Sequence, residues 1–197
     1  MNEIALQMTF KGDRNYLRGA DFFICIESTL ECSTPGWLQK LVFRKFTKQK
    51  CKMSWTPPTA KENIIATGTW RDLEGKVFEK FWVLESPQQV DSRIAFDEDA
   101  LAGQAAIKKK EIVLAGTQEA HIMDYAVALT KKLNSYLRPD FHGKWVLGQL
   151  SLSKKMPSVF SEIKISCIDQ KKEKFTRNRI TVDDRTIGEI VFIAGAP

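Results

Sequence analysis

KEIVLAGTQEAHIMDYAVALTKKLNSYLR, Lys110 to Arg138, is the stretch whose reading decides the fold. Ile112 and Leu114 alternate with their neighbours as in a strand, and Ala115-Gly116-Thr117 turns the chain. Ile122, Tyr125, Ala126, Leu129, Leu133 and Leu137 then recur at three to four residues, which gives one apolar helix face. Thr117 is expected to cap this helix, with Glu119 in its first turn. Lys131, Lys132 and Arg138 suit the negative end of the dipole, and Pro139 is the stop.

A fainter copy begins at Glu3, EIALQMTFKGDRNYLRGADFFICIESTLEC, again strand, Gly turn and helix. Laying Asp21 on Asp124 also sets Phe22 on Tyr125, Ile26 on Leu129 and Leu30 on Leu133. Laying Trp37 on Trp145 sets Leu84 on Phe192. The small change of offset fits one loop difference between helix and sheet. The chain is therefore expected to be a duplicated strand, helix and antiparallel sheet plan, with repeats over 1–100 and 101–197 packed as one unit.

Working outward, Ile4, Leu6, Met8 and Phe10 alternate as a half-buried strand. Phe22, Phe23, Ile26 and Leu30 give the first helix its buried face, and Ser33-Thr34-Pro35-Gly36 stops it. Leu41, Phe43, Cys51, Met53 and Trp55 read as one long bulged strand or two short ones. NIIATGTWRD and KVFEKFWVLES flank Leu73-Glu74-Gly75 as the clearest hairpin. The segment 97–109, acidic first and basic last, is read as a short helix joining the halves. Four further strands follow Pro139, and Val191 to Ala194 is apolar on both faces, as in a central strand.

Composition sets bounds. Of 197 residues, 43% are hydrophobic, with five Trp and twelve Phe, enough for a substantial core. No run of about 18 apolar residues suggests a membrane span, and Glu3 in MNEIALQMTF argues against an export signal. Cys25, Cys32, Cys51 and Cys167 form no CxxC pair, so reduced thiols in a cytoplasmic protein and no metal site are expected. The net charge of +6 comes from scattered lysine pairs and triplets such as Lys108-Lys109-Lys110, Lys154-Lys155 and Lys171-Lys172. It fits a solvated surface, a phosphate-bearing ligand or nucleic acid. No Gly-x-Ser-x-Gly, P-loop or dinucleotide fingerprint occurs.

The α+β order of elements, β-α-β-β-β(-β) twice over, resembles the hot-dog superfamily in a tandem arrangement, in which an antiparallel sheet wraps a long helix. The resemblance implies binding of an acyl thioester, with thioesterase or dehydratase chemistry and no cofactor. It also implies an acid or base near the start of a central helix. Here that points to Asp21 in the first half and to His121 and Asp124 in the second, with Glu119 beside them. A helix N-terminus would favour the neutral form of His121 as a base. The Gly-His-Phe-Pro-Gly run of acyl-carrier dehydratases and the Gly-His-Val-Asn-Asn run of many thioesterases are absent. The segment Gly12 to Asp21 places Arg14, Tyr16 and Arg18 where an anion-binding loop would lie before a helix. His142, in Asp140-Phe141-His142-Gly143, reads as a loop residue. A homodimer through a sheet edge is compatible with this plan.

Three other classes compete. A non-catalytic binding or assembly module would have the same layout with a side-chain-filled pocket. Paired βαβββ modules also describe the vicinal oxygen chelate metalloenzymes, but neither histidine lies on a convincing strand. Nucleic-acid binding would use Lys131, Lys132 and Arg138, as in a sliding clamp, or the aromatic and basic stretch LVFRKFTKQKCKMSW. Simple alternation explains that stretch as well, with its basic face turned to solvent.

Overall fold

A computed structural model describes residues 3–32, 35–59, 61–74, 76–116, 119–171 and 174–195. The expected turn or cap residues Ser33, Thr34, Gly75 and Thr117 lie outside the described residues, as does Lys172. The chain divides into two compact units, Met1–Phe96 and Asp97–Pro197.

In the first unit, β1 (Glu3–Leu6), β2 (Phe10–Lys11) and α1 (Gly19–Glu31) precede β3 (Gly36–Phe43) and β4 (Gln49–Ser54). After them come β5 (Ile64–Asp72), β6 (Val77–Gln89) and β7 (Arg93–Ile94). The Leu41 to Trp55 stretch is thus two strands. The sheet order is β1-β4-β6-β5-β3, antiparallel throughout, and β2 pairs in parallel with β7. The apolar face read from periodicity is the one α1 buries, through Phe22, Phe23, Ile26 and Leu30. The helix packs on β3, and the Phe22 and Phe43 rings tilt together at 5.7 Å. Each large apolar side chain so buried contributes ~1.5–3 kcal/mol. Gly68 stands opposite Phe81 on the neighbouring strand. A Cβ at Gly68 would lie 2.1 Å from Cζ of that ring, so the glycine makes the space the ring fills.

The second unit begins with α2 (Glu98–Leu101), β8 (Ala106–Lys108) and β9 (Glu111–Ala115), followed by α3 (Ile122–Leu137). The strands β10 (Lys144–Leu152), β11 (Glu162–Lys171), β12 (Phe175–Val182) and β13 (Arg185–Gly195) complete it. Their order is β10-β13-β12-β11-β9-β8, again antiparallel, with β13 in the interior. The α3 helix lies against β9, β10, β11 and β12.

The helix expected over 97–109 is corrected. Only four residues are helical, held by Asp97, whose carboxylate accepts from the amides of Asp99 (3.1 Å) and Ala100 (3.0 Å). Past Leu101 there is no apolar periodicity to bury, and Lys109 takes a left-handed φ of 56° that turns β8 back onto β9. The lysines on α3 serve this short helix. Lys131 Nζ pairs with Glu98 Oε2 at 2.8 Å, and Lys132 Nζ donates to the Ala102 carbonyl at 2.6 Å. Arg138 clasps Asp140 through Nε and Nη2, both at 3.1 Å. Lys131, Lys132 and Arg138 thus each have a partner within the second unit.

Candidate functional site

In the first unit the expected residues gather where the loop after β2 enters α1. Arg18 is the N-cap residue of α1, and its side chain makes no capping bond. It is only 3% exposed, with its guanidinium stacked 4.1 Å from the centre of the Phe96 ring. Asp21 lies in the first turn, 7% exposed. Its Oδ1 is 3.0 Å from Lys11 Nζ, and its Oδ2 is 3.6 Å from Arg18 Nε. Two cations thus flank one buried carboxylate. Arg14 contributes its carbonyl, which accepts from Arg93 Nη1 at 2.8 Å, and Arg93 also donates to the Gly12 carbonyl. The Tyr16 ring tilts onto the exposed Phe46 at 5.1 Å.

Beside Asp21 opens a cleft of about 300 Å³ between α1 and the chain around β1. Asp21, Lys11, Cys25, Ser28, Thr29 and Thr9 line it, and Arg14, Tyr16 and Arg18 do not. The Cys25 thiol is pushed up by burial, which outweighs the opposing hydrogen bonds involving Thr29 and the Gln7 backbone, and the Asp21 charge adds the smallest contribution in the same upward direction. It is a neutral thiol at ordinary pH and a poor nucleophile.

In the second unit the N-cap of α3 is His121. Its Nδ1 accepts from the Met123 amide at 3.1 Å, which puts the proton of a neutral ring on Nε2. His121 is solvent-exposed, while Asp124, one helical turn on, is 3% exposed. The Tyr125 hydroxyl accepts from the amides of Glu119 (3.1 Å) and Ala120 (3.4 Å), which ties the entering chain to the helix. The Tyr125 ring meets Phe160 edge-on at 5.9 Å. A donor at the rim and a sheltered carboxylate thus share the start of α3. His142 lies between α3 and β10, outside both elements.

The candidates fall into two groups, each within its own unit: Arg14, Tyr16, Arg18 and Asp21 in one, His121 and Asp124 in the other. Sequence reasoning missed Lys11, Cys25, Arg93 and Phe96 in the first group, and Tyr125 and Phe160 as supports in the second. Lys11 sits in the quoted Gly turn and could have been found as an i, i+10 partner only by knowing that the loop folds back. Among the described residues no three His, Cys, Asp or Glu side chains converge on a common point.

No family model matches the chain, and no curated protein matches it in sequence. Solved structures do. A candidate thioesterase II from Thermobifida fusca aligns with TM-score 0.55 and 10% identity, over 99% of this chain and 93% of that one. The tesB protein of Mycobacterium avium subspecies paratuberculosis gives 0.52 and 9%, over 98% and 91%. The dehydratase domain of PpsC from Mycobacterium tuberculosis, solved in complex with C12:1-CoA, gives 0.54 and 10%, over 98% and 92%. The neighbours are hot-dog proteins, and this chain has the hot-dog fold. At such identities the likeness is one of fold. No helix in the described residues is long and apolar enough to cross a membrane.

Proposed function

We propose that the chain is a tandem pair of hot-dog-like repeats, 1–100 and 101–197, packed as one unit, that binds and processes an acyl thioester. The observation that carries the reading is the start of α3, where sheltered Asp124 follows capping His121. Structures of the same fold include a candidate thioesterase II and a dehydratase domain holding an acyl-CoA, which supports this substrate class. In the hydrolytic form, the Asp124 carboxylate takes a proton from water as its oxygen bonds to the thioester carbonyl carbon. The C–S bond breaks and the departing thiolate receives that proton, leaving acid and thiol. His121 is the residue from which a hydrogen bond to the carbonyl oxygen, as it becomes negative, would come. Asp21, already flanked by Lys11 and Arg18, shapes the first-unit cleft, and the expected anion-binding role of Arg14, Tyr16 and Arg18 is not part of this reading, because none of them lines that cleft.

The test is thiol release from acyl-CoA thioesters of graded chain length, with thermal shift measured in parallel. Asp124→Asn should lower turnover by ~10²–10⁴-fold without loss of fold. A non-catalytic binding module is the second reading, favoured by the internal neutralisation of Asp21. A thermal shift without thiol release or dehydration from any chain length selects it. Neither a shift nor turnover discards both.

A further inference from the structure

The second unit carries another cleft, of about 350 Å³, that no part of the proposed chemistry uses. Its walls are the segment after β10 and the hairpin joining β12 to β13, and Lys154, Lys155 and Arg185 line it with Asp183, Pro157 and Ile187. The cleft is built rather than incidental. Asp183 and Asp184 take left-handed φ values of 44° and 61°, making a two-residue turn that places Arg185 at the head of β13. The opposite wall is fastened at both ends. The Ser153 amide donates to the Ile187 carbonyl at 2.8 Å, and the Ser161 and Glu162 amides donate to Asp183 Oδ1 at 3.0 and 2.9 Å. Between these ties Met156 and Phe160 are buried as anchors.

The charges are unequal in use. Asp183, the carboxylate in the lining, gives its Oδ1 to those two amides. Lys154 and Arg185 are exposed and enter no ion pair with any described residue. Asp184 flanks the turn from outside the lining. The cleft therefore presents Lys154 and Arg185 beside a carboxylate, one oxygen of which is already bonded to the backbone. This chemistry fits a phosphomonoester or diphosphate, with Arg185 able to grip two oxygens and the lysines acting as point charges.

The same wall leads to the start of α3. Phe160, at its far end, is the ring that meets Tyr125 one residue after Asp124. Fully extended, the chain from Lys155 to Phe160 spans no more than about 18 Å. We infer that the cleft of Lys154, Lys155 and Arg185 binds the phosphate-bearing, nucleotide end of the carrier whose thioester is presented at His121 and Asp124. The identification of a thioester rests on the function proposed above; the phosphate site does not. It makes the substrate a nucleotide-linked thioester that brings its own polyanion.

The test uses the full chain and calorimetric titration with adenosine 3′,5′-bisphosphate, pyrophosphate and inorganic phosphate at low and moderate salt. The bisphosphate should bind with an affinity that falls as salt rises. The pair of changes Lys154→Glu and Arg185→Glu should weaken that binding at least tenfold. Circular dichroism of the same sample establishes that the fold is kept, and amide shifts at 153–160 and 185–187 give a readout independent of the variant. No bisphosphate binding at low salt, equal binding by the variant, or shifts confined elsewhere would each overturn the inference. Inorganic phosphate binding as tightly as the bisphosphate would overturn the assignment of a nucleotide carrier. In a parallel arm the unaltered protein is given a phosphate-free acyl thioester of N-acetylcysteamine. Turnover there with no bisphosphate site leaves the thioester reading standing and removes the cleft. A charge-dependent bisphosphate site without binding or turnover of any thioester does the reverse.

Discussion

Replacing Asp21 by Asn asks whether this carboxylate serves the fold or the chemistry. It lies 3.0 Å from Lys11 Nζ and 3.6 Å from Arg18 Nε, and the three side chains are 8%, 17% and 3% exposed. At an effective dielectric of about 20, each contact amounts to ~5 kcal/mol of attraction, most of which offsets desolvation of the charges. Removing one member of a buried ion pair costs ~3–5 kcal/mol because the other charge stays behind uncompensated. The Arg18 guanidinium keeps the face of Phe96 at 4.1 Å, an interaction of ~1–2 kcal/mol, so the low end is expected, a loss of ~3 kcal/mol. Lys11 is the more exposed cation and Arg18 stays beside Asp21 when it is changed, so Lys11→Met alone should cost ~1 kcal/mol. Because the two residues touch, the double variant should lose less than the sum, with a coupling of ~1–2 kcal/mol. Urea unfolding of the wild type, both single variants and the double variant measures all of these, provided the slopes agree. Asp21→Asn within ~0.5 kcal/mol of wild type, or a coupling near zero, refutes the structural account. Lost thiol release at unchanged stability would return Asp21 to the chemistry.

Three further outcomes concern the sheet and the thiols. Gly68→Ala places a Cβ 2.1 Å from the Phe81 Cζ; overpacking of ~1–3 kcal/mol should exceed the ~0.4–1 kcal/mol gained from a stiffer unfolded chain. Adding Phe81→Leu, which removes Cζ, should make the two changes less than additive in urea unfolding; simple addition would contradict the clash. The Cys51 thiol is pushed up from 9.0 to about 12, first by burial and then by the Glu85 charge, while Lys45 opposes. The folded protein thus keeps a proton that the unfolded chain loses. The associated stability is whole below pH 9 and declines as pH rises from 9 towards 12, by at most ~1.4 kcal/mol per pH unit. Cys51→Ala should flatten that alkaline decline, and an unchanged slope would refute the assignment. Alkylation mapped by mass spectrometry at pH 8 should label exposed Cys32 ahead of Cys25, Cys51 and Cys167, whose thiols are all pushed up by burial.

What could be read in advance was whatever has a short period. The spacing of Phe22, Ile26 and Leu30, or of Tyr125, Leu129 and Leu133, is a local consequence of burying one face, so both helices were legible. So was the β5–β6 hairpin. The segment 97–109 misled because end charges fit a helix equally well when it lasts four residues, and the pairing of Ile107 with Ile112 depends on a left-handed Lys109. The cap at His121 was passed over because imidazole Nδ1 can accept an amide proton, which hydroxyl-based capping rules leave out. The fastening of the loop by Arg93 and Phe96 was out of reach, since it joins residues far apart in the chain. The basic cleft was visible only as Lys154-Lys155; Arg185 joins it through a hairpin turn.

The Lys108-Lys109-Lys110 run ends up on and just after β8, the outermost strand of the second unit. An uncovered strand with open amides and carbonyls is a template on which other chains can add. Three ammonium groups at that rim make a second strand repel rather than zip on, and the sharp turn at Lys109 keeps the rim short. A charge that looked like bait for a ligand thus works as a fence. Its removal would be noticed first as precipitation in a concentrated sample.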